Sequence, residues 1–361
     1  MSLTPAGAAN AVRDQRIERL EPLIAPRKLL EELPLSEAHA EAVLRERGRT
    51  RSVLDGEDDR LLVVVGPCSV HDPDATLEYA ARLAERARAW RDELLVTMRV
   101  YFEKPRTTTG WKGLINDPHL DDSGDVNAGL RAARRVLLGV LAQELPVGCE
   151  FLDPFIPQYI ADAVSWGAIG ARTVESQTHR QLGSGLSMPV GFKNRTDGNV
   201  QVAADALRAA RVPQAFAGIS LDGAPAVMYT RGNPDCHIIL RGGREAPNFS
   251  TDAVAAALEV LRRARLPERV MIDSSHDNSG KDANRQPVVA ADVAGQISAG
   301  NRAIIGVMLE SFLVSGRQDL DPAQRSELRY GQSITDACLD LDTTAEVLDG
   351  LAAAVRARRG S

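Results

Sequence analysis

Cysteine is scarce in this 361-residue chain, and its four copies, Cys68, Cys149, Cys236 and Cys338, stand at least 81 positions apart. No C-x-x-C pair exists, so the cysteines read as reduced thiols rather than as a disulfide framework. Long apolar runs are missing too. Leu61–Val65 is among the longest, far short of the ~18 residues that span a bilayer, so no membrane segment is expected. Met1–Asn10 has neither a basic start nor an apolar stretch and does not read as a signal peptide. Nor is basic charge in excess: 43 Lys+Arg against 49 Asp+Glu give a net charge of −6, which argues against a nucleic-acid partner. The expected compartment is the cytoplasm.

What is present is ordinary globular material: 44% hydrophobic and 25% charged residues, with 29 Gly and 19 Pro spread along the chain. That supports a large core and excludes a mainly disordered or collagen-like chain. The first ~55 residues are charged and helical in pattern, with Ser36 placed to cap a helix over Glu37–Leu54 that Gly56 stops. They fit either a solvated surface extension or an arm for subunit contact or regulation.

From Arg60 onward, short apolar runs alternate with amphipathic segments. The runs are Leu61–Val65, Leu95–Val100, Gly148–Leu152, Ile169–Thr173, Pro189–Lys193, His237–Arg241, Val270–Ser275 and Ala303–Leu309. Helical segments are expected over Asp74–Asp92, Val126–Leu145, Gln158–Trp166, Val200–Arg211, Thr251–Leu266 and Val288–Ser298. Continuous apolar strands alternating with helices imply a parallel sheet covered by helices, and eight of them point to a closed (β/α)8 TIM barrel. An Asp222-Gly223 turn flanked by Ala215–Ser220 and Ala226–Thr230 reads as a β-hairpin inserted between strands five and six. The expected division is an N-terminal helical extension, 1–57, and a catalytic barrel, 58–361, with the hairpin at about 214–231.

Charged residues gather at the downstream ends of these strands, where a parallel barrel has its active site. Arg99, Lys104, Arg106, Arg172, Lys193 and Arg241 come from four strand ends. Any one alone fits a salt-bridge partner; together on an acidic protein they describe a positive cup for more than one anionic group. A second constellation is Cys68, His276, Glu310 and Asp336. Taken singly, these fit a small buried hydrophobe, a general base, a strand-end carboxylate and a helix cap. Together, one thiolate, one imidazole and two carboxylates form a mixed donor set for a divalent transition metal. His71 sits in a helix-start environment, and His237, inside a strand, reads as structural.

At these residues the chain resembles the type I 3-deoxy-D-arabino-heptulosonate 7-phosphate (DAHP) synthase family, in its aromatic-amino-acid-regulated branch. The resemblance is carried by Gly66–Asp72, Arg99–Gly113, Ile115–Pro118, Glu150–Pro154, Trp166–Asn194, His237–Gly243, Asp273–Lys281 and Tyr330–Cys338. It implies a homodimeric or homotetrameric (β/α)8 enzyme that condenses phosphoenolpyruvate with erythrose 4-phosphate at the start of the shikimate pathway. By the same resemblance, Cys68, His276, Glu310 and Asp336 are ligands of Mn²⁺, Fe²⁺, Co²⁺ or Zn²⁺. Arg99, Lys104, Arg172, Lys193 and Arg241 hold phosphoenolpyruvate, and Lys104, Pro105, Arg106 and Thr107, with Asp336, face erythrose 4-phosphate. Lys104, His276 and Cys68 carry catalysis. An aromatic amino acid inhibitor is implied near the hairpin, the Leu186-Ser187 turn and the N-terminal arm of a neighbouring subunit. Arg195 stands where relatives have Gly in the motif Lys193–Gly198, which would alter the loop if its backbone needed glycine. A Schiff-base aldolase using Lys104 or Lys193 is the main rival reading, but it leaves the Cys/His/Glu/Asp set unexplained.

Overall fold

Five consecutive apolar residues, Leu61 to Val65, leave no polar face, so the strand they form must be covered on both sides. The computed structural model, which describes residues 12–106 and 108–360, shows how. Strands β1 (Leu61–Gly66), β2 (Leu94–Arg99), β3 (Val147–Glu150), β4 (Trp166–Ile169) and β5 (Val190–Lys193) pair in parallel. A two-stranded antiparallel hairpin, β6 (Ala215–Ile219) and β7 (Pro225–Tyr229), interrupts the series. Strands β8 (Cys236–Leu240), β9 (Val270–Asp273) and β10 (Ile304–Glu310) then complete a closed eight-stranded barrel in which β10 pairs with β1. The architecture is a (β/α)8 TIM barrel.

Side chains alternate across the wall. Leu61, Val63 and Val65 pack outward in the large cluster shared with the helices. Leu62 and Val64 point inward, joined by Leu95, Trp166, Ile239, Met271 and Met308. The filled interior makes the barrel a core rather than a pore.

Among the described residues two helices precede the barrel, α1 (Pro26–Glu32) and α2 (Glu37–Asp55). Ser36 caps α2 by accepting from the His39 N–H at 3.2 Å, and Gly56 ends it at φ +75°. Val53 and Leu54 of α2 belong to the inner cluster, and Arg47 donates to the carbonyls of Ala161 (2.6 Å) and Val164 (2.8 Å). Helix α2 therefore closes the floor of the barrel instead of lying solvated on its surface. Asp72 caps α3 (Pro73–Ala87), which has Pro at its start, and Asp125 caps α4 (Val126–Leu141).

The fourth strand differs from the sequence expectation: it occupies Trp166–Ile169, not Ile169–Thr173, and the preceding helix α5 (Pro157–Ile160) is a single turn. Gly167 and Ala168 are weak strand formers, so packing decides. Trp166 fills the barrel interior, where its Nε1–H donates to His237 Nε2 at 3.3 Å. Helix α6 (Gln177–Gly185) has no apolar stripe to announce it. It forms because Gly183 lets it lie close on β5, where an added Cβ would meet Phe192 Cζ at 2.6 Å. Helices α7 (Gln201–Ala210), α8 (Thr251–Arg263) and α9 (Gln286–Ser298) fall where expected, and α10 (Leu341–Gly360) packs on α9. A small unforeseen pair, β11 (Val314–Arg317) and β12 (Gln332–Ser333), follows β10. No helix among the described residues is long and apolar enough to cross a membrane.

Candidate active site

Parallel strands present the same end to one rim, so the residues that close each strand converge. Arg99 ends β2, Glu150 ends β3, Lys193 ends β5, Asp273 ends β9 and Glu310 ends β10. Arg241 directly follows β8, and Cys68 lies just beyond β1. At this rim lies a cavity of about 100 Å³ whose wall includes Arg99, Lys104, Pro105, Arg106, Arg172, Lys193, Arg241, His276 and Asp336. Thr107 lies outside the described residues.

Donor atoms of Cys68, Glu310 and Asp336 all lie within 4.8 Å of one another. His276 stands outside that mutual spacing but reaches it through Glu310, with Nε2 3.7 Å from Oε1. The His276 ring is aimed by its other nitrogen: Nδ1 lies 2.8 Å from Asp273 Oδ2 and 2.7 Å from Ser275 Oγ. His276 also has a left-handed backbone, φ +56°, a conformation that a non-glycine residue holds only where its surroundings enforce it. Gln286 grips Glu310 at the main chain, accepting from its N–H (2.9 Å) and donating to its carbonyl (3.0 Å).

This donor set suits a first-row divalent ion. Burial, reinforced by the Glu310 carboxylate, pushes the Cys68 thiol up to about 11. A divalent cation among these groups would reverse that balance, because a coordinating thiol is deprotonated outright.

The cations divide by burial. Arg99 is fully enclosed: it donates to the carbonyls of Pro67 and Cys68 and to Glu310 Oε1, each at 3.1 Å, and lies 3.6 Å over the Tyr101 ring. Lys104 Nζ is 3.1 Å from Cys68 Sγ and 3.2 Å from its carbonyl. Burial works against the Lys104 charge, but Cys68, Glu310 and Asp336 outweigh it and its pKa is raised. Lys193 forms a buried ion pair with Asp273 at 2.8 Å, and Arg241 pairs with Asp277. Although burial opposes ionisation, His276 and Lys193 hold the Asp273 carboxyl well below the usual range. Arg106 and Arg172 are exposed and make no hydrogen bond or ion pair among the described residues.

Sequence reasoning left Glu150, Asp273 and Gln286 without roles. The first two each close an apolar strand with a carboxylate, the same signal that singled out Glu310, and so were within reach. Gln286, just ahead of Pro287 in an ordinary helix start, carries no signal at all. His237 is structural as expected: it is buried, and burial pushes its pKa down to about 3.

With this geometry in view, the comparisons are specific. The sequence profile of the DAHP synthetase I family matches residues 34–349. A phospho-2-dehydro-3-deoxyheptonate aldolase of Corynebacterium glutamicum is 54% identical over 366 residues, covering 99% of both chains. The Phe-sensitive enzyme of that name from Escherichia coli is 55% identical over 347 residues, covering 96% of this chain and 98% of its own. The solved structure of the Francisella tularensis phospho-2-dehydro-3-deoxyheptonate aldolase superposes with a TM-score of 0.93 at 48% identity, covering 95% of this chain and 100% of that one.

Proposed function

Because the chain belongs to the DAHP synthetase I family, we propose that its barrel mouth is where phosphoenolpyruvate and erythrose 4-phosphate meet. The chain is an enzyme of the shikimate pathway, joining these two substrates and water into DAHP with release of phosphate. The observation that carries the site assignment is the convergence of Cys68, Glu310 and Asp336 within 4.8 Å beside a cavity walled by Arg99, Lys104, Arg172, Lys193 and Arg241.

Those five cations take the phosphate and carboxylate of phosphoenolpyruvate. Lys104, Pro105, Arg106 and Thr107 receive erythrose 4-phosphate, with Asp336 beside its reacting end. Cys68, His276, Glu310 and Asp336 would hold one divalent ion, Mn²⁺, Fe²⁺, Co²⁺ or Zn²⁺, which when bound supplies Lewis-acid polarisation of a carbonyl oxygen. The cationic wall holds two anions at short range and offsets their repulsion, a contribution of proximity and electrostatics. Lys104, kept as an ammonium, is the proton donor to the aldehyde oxygen as C3 of phosphoenolpyruvate attacks. Water then adds at C2, and phosphate departs by C–O cleavage.

A Schiff-base aldolase would need an uncharged lysine. Neither candidate offers one: the Lys104 pKa is raised, and Lys193 is engaged with Asp273.

Regulation by an aromatic amino acid is supported by the name of the Phe-sensitive relative and by a second cavity of about 370 Å³. It lies between the end of α6 and the hairpin, walled by Leu182, Leu186, Phe216 and Met228. Assembly as a homodimer or homotetramer, with residues 1–57 contributing to the contact, is supported by the open hairpin face, where Val227 is 59% and Tyr229 82% exposed. We place the enzyme in the cytoplasm.

A phosphate-release assay with both substrates, with and without chelator and with Phe, Tyr and Trp added separately, tests these assignments. Release requiring both substrates and lost on chelation is expected. Release from phosphoenolpyruvate alone, or full turnover in chelator, would overturn them.

A further inference from the structure

The rim loops that carry the cations are tied to one another through the segment after β5. Asn194 Oδ1 accepts from the Arg241 N–H at 2.8 Å, its Nδ2 donates to the Gly242 carbonyl at 2.9 Å, and the Thr196 carbonyl accepts from the Arg244 N–H at 3.1 Å. Lys193 and Arg241 are thus set relative to each other chiefly by the Asn194 side chain. Arg172 is different. It stands exposed in the turn after β4, a turn closed by the Thr173 and Val174 N–H groups on the Gly170 carbonyl, and its own guanidinium has no partner among the described residues.

Arg195 reaches that turn. Its Nη1 donates to Glu175 Oε1 at 2.8 Å, while Nε donates to Asp197 Oδ2 at 2.8 Å and Nη2 bonds the same oxygen. One planar guanidinium therefore spans two carboxylates on neighbouring loops: Glu175, three residues past Arg172, and Asp197, next to Thr196 of the cavity wall. Its backbone is not left-handed, so this position makes no demand for glycine and the side chain is free to serve as a strap.

We infer that Arg195 is a positioning residue for phosphoenolpyruvate: by holding Glu175 it fixes the turn bearing Arg172 against the loop bearing Lys193. The inference rests on the assignment of Arg172 and Lys193 to that substrate. Each exposed pair is weak alone, but one fixes the guanidinium on its own loop while the other reaches the Arg172 turn, and a long unpartnered arginine depends on where its anchor is held.

Steady-state kinetics of Arg195→Gly, Glu175→Gln, their double variant, Arg195→Lys and Arg172→Ala test it. Arg195→Gly and Glu175→Gln should each raise KM for phosphoenolpyruvate about two- to fivefold, with kcat and KM for erythrose 4-phosphate little changed. The double variant should be no worse than either single one, and Arg195→Lys should recover part of the loss. Salt at ~0.5 M should narrow the gap between the parent and Arg195→Gly. If Arg172→Ala raises KM for phosphoenolpyruvate and Arg195→Gly does not, the strap is wrong and the substrate assignment stands. If Arg172→Ala leaves that KM unchanged, the assignment itself falls and the inference with it. Equal losses for both substrates with a lowered melting temperature would make Arg195 merely structural and overturn the inference.

Discussion

The sulfur of Cys68 lies 3.8 Å from a carboxylate oxygen of Asp336, although 268 positions of chain separate them. Burial and the Glu310 charge push the Cys68 thiol up to about 11, so it faces Asp336 as a neutral S–H, and a divalent ion among these donors would take it as the thiolate instead.

Cys68→Ala should therefore lose metal and turnover together. Elemental analysis of the purified protein beside the phosphate-release assay reads both. A variant that retains stoichiometric metal, or that turns over fully without it, would remove Cys68 from the donor set.

Asp273 holds two partners on one oxygen, Lys193 Nζ and His276 Nδ1, each at 2.8 Å. Asp273→Asn strands a buried ammonium and frees the imidazole. A loss of about 3–5 kcal/mol in denaturant titrations is expected, with metal affinity weakened roughly 10–100-fold. A variant as stable as the parent would show that Lys193 finds another counter-charge.

Glu103 is buried, accepting from the N–H groups of Leu152 (3.4 Å) and Asp153 (3.3 Å); burial, then the nearby Asp153 charge, pushes its pKa up to about 8. The unfolded chain gives up this proton near 4.5, so between there and about 8 the folded state binds more protons and loses stability as pH rises. The decline is at most about 1.4 kcal/mol per pH unit from this group. Melting curves across pH 5–8 should flatten in Glu103→Gln, and an unchanged slope would contradict the assignment.

Gly113 has φ +114°, and a Cβ there would overlap the carbonyl oxygen of Phe102. The Lys112 carbonyl beside it accepts from the Lys104 N–H at 2.9 Å, so the strain would reach a lysine of the cavity wall. Gly113→Ala should destabilise by about 2 kcal/mol or more and lower turnover. Parent-like melting and activity would show that the loop relaxes freely.

Much of this was legible in advance, because apolar runs such as Leu61–Val65 and caps such as Ser36 and Asp72 are local signals. So was the habit of polar side chains to follow strands, which picked out Arg99, Lys193 and Glu310. The fourth strand was displaced because Trp166 is held by the barrel interior and not by its neighbours in sequence. Helix α6 stayed hidden because its Gly183 serves a close approach to β5. The aim of His276, set by Asp273, and the grip of Gln286 on Glu310 depend on distances that only barrel closure creates.

With Val53 and Leu54 packed into the filled interior at its floor, the barrel offers ligands the strand-end rim, where the cation-lined cavity lies. A group seated against the enclosed Arg99 and Lys193 would lie deeper in the mouth than one resting on the exposed Arg106.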